Sequence, residues 1–302
     1  MDTKERRLGT AVLTVTVWRG EVIPVDDAGL AAALREADRN QVQGLLARAY
    51  PQRLPGLVRA VDVATAQFRD NLAAVTARLR DAGVLPVLIK ADPEGDYLYT
   101  NFDLVVGDQW DAARRALAGW YVRSSGHPLE PDKVLLHPPS GPAAHLHRLV
   151  SWFGIPVVPA ARLAARASSS PEGWLQPADA DQLRIWLAHA VFQNLAVDLS
   201  ELLAIRPLLV PDVVTEARHE ARREGWQRAF DETLRTVDRA VARLDRGQDL
   251  PLPVPLRTSA SIAVAREHVG HLRRTGQVAA ARREAVLRGP LAVVKRCRLA
   301  LA

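Results

Sequence analysis

Residues 84 to 106 constrain the fold of this chain more than any other stretch, because the hydrophobic period changes there. Upstream, Leu57, Val61, Ala64, Phe68, Leu72, Val75 and Leu79 recur at three- and four-residue steps, which predicts a helix over 55–81. Asp81-Ala82-Gly83 stops it. The next run, Val84-Leu85-Pro86-Val87-Leu88-Ile89, is apolar throughout and fits a central strand, with Pro86 tolerated near its start. After the acidic loop 91–96 comes a second such run, Phe102 to Val106, then a helix over about 109–118 and strand-like runs at 133–136 and 144–149. Strands and helices thus mix between 84 and 160, which predicts a small α/β or α+β domain.

The flanks read differently. Residues 11 to 18, AVLTVTVW, suit a strand or a buried apolar segment, and helical spacing takes over from about 27 to 49. Beyond a loop at 166–173, residues 178 to 245 read as helices, and a Pro-rich break at 250–255 precedes basic terminal helices. The expected architecture is α+β: residues 1–165 as a helical prelude and small mixed-sheet domain, residues 166–302 as a mostly helical C-terminal domain. A chain of 302 residues with 48% hydrophobic content buries a substantial core.

Charge and cysteine usage narrow the function classes. The net charge of +6 is a C-terminal property: residues 251–302 carry ten Arg or Lys against Glu267 and Glu284, which leaves the rest of the chain slightly acidic. That segment suits an anionic partner such as nucleic acid, anionic lipid or an acidic protein, although no aromatic residues are interleaved for base stacking. Cys297 is the only cysteine, so a disulfide framework or Cys-rich zinc site within one chain is excluded. Cys297 has no His or acid near it in sequence to activate it. The start of the chain lacks a cleavage pattern, and no window reaches the length of a membrane span, so a cytoplasmic location is expected. Walker A, GxSxG, HExxH and GxGxxG signatures are absent.

The residues that carry chemistry cluster around "YLYTNFDLVVGD" (97–108). Strand side chains alternate, so Asn101 and Asp103 share one face while Phe102 and Leu104 share the other. Two acids so spaced hold Mg²⁺ in two-metal phosphoryl and nucleotidyl transfer enzymes. Here the first of the two is an amide. His145 and His147 share a face if 144–149 is a strand, and with Asp103 they would form a transition-metal ligand set; the plainer alternative is a packing histidine at 147. His189, on an apolar helix, reads as a satisfied core histidine, and Asp198 as a cap or a partner of Arg184 or Arg206.

The order helix, ValLeuProValLeuIleLys, short loop, AsnPheAspLeuValVal resembles the uncharacterised nucleotidyltransferase family, whose members typically read "gIPvlLLKG" and later "DiDlLV". Two further stretches agree. Ala144-His145-Leu146-His147-Arg148 falls where that family has an acid followed by Leu-His-Trp, and Trp186-Leu187-Ala188-His189-Ala190 with Val197-Asp198-Leu199 resembles its helical "HA" and "DL" segments, so the likeness spans roughly residues 60–205. The resemblance implies a nucleotidyltransferase-like fold and attack by a hydroxyl or phosphate on the α-phosphorus of an NTP. It implies Asp103 as a Mg²⁺ ligand, Asn101 at the second ligand position and His145 where a third acid acts as base or ligand. Lys90 then contacts phosphate, and it is one of only four lysines in an Arg-biased chain. Three positions depart from the pattern: Ala91 replaces Gly, and Asn101 and His145 replace acids. Loss of two anionic ligands weakens Mg²⁺ binding. Asp92, Glu94 and Asp96 are the nearby carboxylates, and Asp96 follows a Gly that frees it to turn inward as a replacement ligand.

Three readings follow. The first is an enzyme transferring a nucleotidyl or phosphoryl group from an NTP to a hydroxyl of a small molecule, sugar or peptide in a biosynthetic pathway. The second is a degenerate, non-catalytic scaffold of the same fold that binds a ligand or a protein. The third is a basic helical binder of nucleic acid or a membrane surface acting through residues 251–302.

Overall fold

The computed structural model describes residues 3–93, 95–119, 121–124, 132–152 and 155–279 with isolated positions beyond, and for 121–124 and 155 the backbone alone. Glu94, Cys297 and most of the basic segment past 279 lie outside the described residues.

Four helices come first: α1 (Thr3–Leu13), α2 (Asp27–Arg39), α3 (Gln43–Ala49) and α4 (Pro55–Asp81). The sheet region follows with β1 (Val87–Ile89), β2 (Asn101–Val105), α5 (Trp110–Ala116), β3 (Tyr121–Ser124), β4 (Lys133–His137), β5 (Ala143–His147), β6 (Val150–Trp152) and β7 (Ile155–Val158). Then come α6 (Ala160–Arg166), β8 (Ser168–Ser169), β9 (Leu175–Gln176), α7 (Asp179–Ala188), β10 (Ala196–Val197), α8 (Leu199–Ile205), α9 (Pro211–Arg223), α10 (Gln227–Asp245), β11 (Val254–Pro255) and α11 (Thr258–Arg274). The protein is therefore mixed α+β, as expected. No helix among the described residues is long and apolar enough to cross a membrane.

Seven strands form one mixed sheet in the order β3-β4-β5-β2-β1-β9-β8. β1 and β2 are antiparallel, with Ile89 opposite Asp103, and β2 runs parallel to β5, with Asp103 opposite His145. Strand parity then sorts the side chains. Leu88, Phe102, Leu104, Val134, Leu136, Ala144 and Leu146 pack on Phe68, Leu72, Val75 and Leu79 of α4 and on Trp110 and Ala113 of α5. Burial of each such large side chain stabilises the fold by about 1.5–3 kcal/mol, so α4 is the main cover of this face. The opposite face sends Val87, Ile89 and Val105 into a second, larger core shared with the helices.

That larger core draws on both sides of the 165/166 boundary drawn from sequence. Val12, Trp18, Leu30, Val42 and Leu46 belong to it together with Leu187, Leu202, Trp226 and Phe230. The N-terminal helices therefore pack with the C-terminal half. Asn40, fully buried, fastens the two by donating to the Glu36 carbonyl (2.8 Å) while its own amide oxygen accepts from Leu199 N–H (3.1 Å).

Residues 11–18 depart from the strand expectation. α1 runs to Leu13 and continues as a π-helix over Thr14–Trp18. β-branched residues disfavour a helix only weakly, and tertiary burial overrides that preference. Thr14 returns its hydroxyl proton to the Thr10 carbonyl (2.9 Å), Thr16 contacts the Tyr50 hydroxyl (3.2 Å), and Leu13 and Trp18 are buried. The helical pattern over 27–49 is two helices, broken where Gln41 takes the left-handed conformation (φ 56°).

Candidate functional site

The sheet face away from the α4 core forms the floor of a cleft of about 1460 Å³, walled by the 91–100 loop, α7 and the segment 189–207, with Arg69, Asp70, Leu72 and Ala73 of α4 at its margin. Asn101 and Asp103 of β2, Lys133 of β4 and His145 and His147 of β5 all line it, as does Lys90. Parity is the cause for the five strand residues, each of which alternates with a residue of the apolar face; Lys90 follows Ile89 of the same face and comes to the cleft by its left-handed turn (φ 56°).

Asp103 is the hub. Its Oδ1 lies 2.5 Å from His147 Nε2 and 3.0 Å from His145 Nδ1, while its Oδ2 lies 3.2 Å from Lys90 Nζ and receives the Asn101 amide at 3.5 Å. The carboxylate is 7% exposed. Burial alone would raise its pKa, but the Lys90 ammonium and the hydrogen bonds from the two imidazoles outweigh that and hold it well below the ordinary carboxylate range. Burial, reinforced by His145, pushes His147 down to about 3, so it is neutral at pH 7. Lys90 reaches Asp103 from a left-handed backbone (φ 56°) directly after β1. An L-residue held there costs about 1–2 kcal/mol, the kind of local strain that collects at functional sites.

Two aromatic and cationic features complete this side. The ammonium groups of Lys90 and Lys133 lie 5.7 and 5.3 Å from the Trp152 ring centroid, and the Trp152 indole donates to Gln193 Oε1 at 2.7 Å. Tyr97, Tyr99, Trp174 and Trp186 also line the cleft, with the Tyr99 ring set at a tilt between those of Tyr97 and Phe68.

The facing wall is acidic and buried. A π-helix over His189–Asn194 ends at Leu195 in the left-handed conformation and presents His189, Gln193 and Asn194 to the cleft. π-turns inside helices are rare and frequent at functional sites. His189 Nδ1 lies 2.7 Å from Glu201 Oε1, which also accepts from Asn194 (3.2 Å). Asp198 and Glu201 form the capping box of α8: Asp198 Oδ1 accepts from Glu201 N–H (2.8 Å) and Glu201 Oε2 from Asp198 N–H (3.0 Å). Burial pushes both carboxyls up to about 7, in Asp198 with help from the Glu201 charge. Burial, with the nearby Lys90 charge, holds His189 down to about 3.

The structure thus brings Lys90, Asn101, Asp103 and His145 together, and it does not bring Asp96 to them. Asp96 pairs with Arg48 (2.8 Å), which also holds Asp62 (2.7 Å), because its loop packs on Gly44 of α3. Asp92 lines the cleft. Asp198 is a cap, while Arg184 and Arg206 bind Asp181 and Asp245 instead. Lys133, Trp152 and the Glu201 wall were not singled out from sequence. For Lys133 a signal existed, since it is another of the four lysines and opens a strand-like run.

Mg²⁺ demands near-octahedral oxygen coordination and leans on carboxylates. The converged donors are one carboxylate already engaged by an ammonium, one amide and two imidazoles, a set that does not suit Mg²⁺. Compared with known proteins, the chain matches no family model, no curated protein and no solved structure.

Proposed function

We propose that the cleft binds a nucleoside triphosphate and that the protein serves nucleotidyl or phosphoryl transfer to a hydroxyl of a small molecule, sugar or peptide. The observation that carries this reading is the convergence of Lys90, Asn101, Asp103 and His145 on one sheet face at the floor of a single large cleft. Lys90 and Lys133 supply the positive charge that a polyphosphate requires, in a partly desolvated place where each ammonium acts more strongly than at the surface. Tyr97, Tyr99, Trp174 and Trp186 offer faces for a base, and the volume leaves room for an acceptor beside the nucleotide.

Titration with each NTP, followed by tryptophan fluorescence and calorimetry, tests this. Binding is expected to weaken at least tenfold in Lys133→Met. Absence of binding for all four NTPs in the folded wild-type protein refutes the reading.

A second reading, a binding scaffold without transfer chemistry, is favoured by one specific observation: Asp103 is the only carboxylate among the converged groups, and its charge is already met by Lys90 and two imidazoles. The double variant Asn101→Asp/His145→Glu would restore two acids. If it gains Mg²⁺-dependent nucleotide binding that the wild type lacks, the site is a decayed metal clamp. If it folds and still ignores Mg²⁺, that account fails.

A further inference from the structure

Asp103, His145 and His147 present one carboxylate oxygen and two imidazole nitrogens that all lie within 4.8 Å of one another. We propose that these three side chains are a binding site for a late first-row divalent ion, with Zn²⁺ as its reference occupant, and that Mg²⁺ is excluded from it. The inference stands apart from the nucleotide reading, because the metal alone is the ligand.

Three features of the geometry point to it. The first is how Asp103 divides its oxygens. Oδ2 is taken by Lys90 and Asn101, while both imidazole nitrogens converge on Oδ1. At tetrahedral angles an ion held at about 2.0–2.2 Å from each donor separates the donors by roughly 3.3–3.6 Å. The 3.0 Å contact of His145 and the 2.5 Å contact of His147 with Oδ1 reach that spacing by opening roughly 0.3 and 0.8 Å. Lys90 then plays the outer role usual around metal sites, fixing the carboxylate by its other oxygen.

The second is rigidity. The three ligands sit on two neighbouring parallel strands in direct register, Asp103 opposite His145, with β4 closing the far side of β5. A His-x-His pair on one strand face needs no loop ordering to bind.

The third is the donor set itself. Two imidazole nitrogens, His145 Nδ1 and His147 Nε2, crowd on one carboxylate oxygen, a convergence that a coordinated ion rewards. Two imidazoles and one carboxylate are a nitrogen-rich set suited to zinc, iron, cobalt or nickel and unsuited to Mg²⁺. The remaining coordination positions face the cleft, where water or an anionic ligand completes them.

The test uses the full chain freed of metal by chelation, with no nucleotide present. Titration with Zn²⁺ should give one equivalent bound at micromolar or tighter Kd, Co²⁺ should give visible d–d absorption, and Mg²⁺ should give no heat. His145→Ala, at the more exposed of the two imidazoles, should weaken Zn²⁺ at least a hundredfold while retaining the wild-type circular dichroism. Should that variant fail to fold, X-ray absorption on the wild-type zinc complex decides, with two imidazoles and oxygen ligands expected. No stoichiometric Zn²⁺ binding, unchanged affinity in folded His145→Ala, or a coordination shell without two imidazoles each overturns the proposal. A failed NTP titration leaves it standing.

Discussion

Replacing Lys90 by Met keeps the length of the side chain and the left-handed backbone and removes only the ammonium, 3.2 Å from a carboxylate with which it shares a largely buried place. At an effective dielectric of 20, a contact at that distance corresponds to about 5 kcal/mol, and breaking one side of a buried pair typically costs about 3–5 kcal/mol. The variant should therefore lose about 3–5 kcal/mol, a fall of about 1–2 M in urea midpoint for a chain of this size. Asp103→Asn, which strands the ammonium instead, should lose a similar amount. The double variant should be less destabilised than the sum of the two, with a coupling of at least about 2 kcal/mol, since each single change already breaks the same contact.

The pH dependence adds a second check on the same pair. In the wild type the folded-state pKa of Asp103 is depressed, so its contribution is present above the unfolded value near 3.8 and is lost only as pH falls through the lower folded value. Without Lys90 the folded pKa of Asp103 rises, because the largest lowering influence is gone while burial remains. The penalty of Lys90→Met is then full at pH 7 and shrinks as pH falls through the variant's folded value. Additive single-variant losses, or a penalty that stays unchanged down to the lowest pH at which both proteins fold, would refute the view that Lys90 helps keep Asp103 ionised.

Other consequences are checked by the same unfolding measurements. Asp198→Ala removes the side-chain cap of α8 and should cost about 1–2 kcal/mol, with Asp198→Asn retaining most of the cap. Glu201 has its pKa raised to about 7 in the folded protein, so it is protonated there and ionised in the unfolded chain between about pH 4.5 and 7, and its contribution declines as pH rises through that window. Glu201→Gln removes this decline; relative to wild type its stability should climb by about 1.4 kcal/mol per pH unit between pH 5 and 6.5, and a flat difference would contradict the buried, neutral carboxyl. A Cβ at Gly44 would sit 1.8 Å from the Asp96 carbonyl oxygen, so Gly44→Ala should cost at least about 3 kcal/mol, whereas Gly83→Ala, with open space but φ of 73°, should cost about 1 kcal/mol.

Much of the candidate site was legible because strand parity is local. Asn101 and Asp103 on one face, Phe102 and Leu104 on the other, follow from alternation alone, as does the pairing of His145 with His147. The helix over 55–81 was legible for the same reason at a different period, and α4 ends at Asp81 as its Gly83 stop requires. What sequence did not reveal depends on distant packing. AVLTVTVW carries strand-like residues, yet it is helical because Leu13 and Trp18 bury in the larger core, where Trp18 meets Arg206 and Asp245, 188 and 227 positions away in sequence. Trp152 and Glu201 reach the cleft through segments whose local pattern is ordinary. Asp96 had the glycine that would let it turn inward, but Arg48, 48 residues earlier, holds it elsewhere.

The alternation in β5 also makes the sheet its own inspector. A slip of one residue against β2 would send Ala144 and Leu146 into the cleft and drive His145 and His147 against the apolar side chains of α4 and α5. A copy assembled in the wrong register would therefore forfeit its packing at the moment it lost its polar cluster. The two histidines that line the cleft therefore also help to fix the register of the strand that carries them.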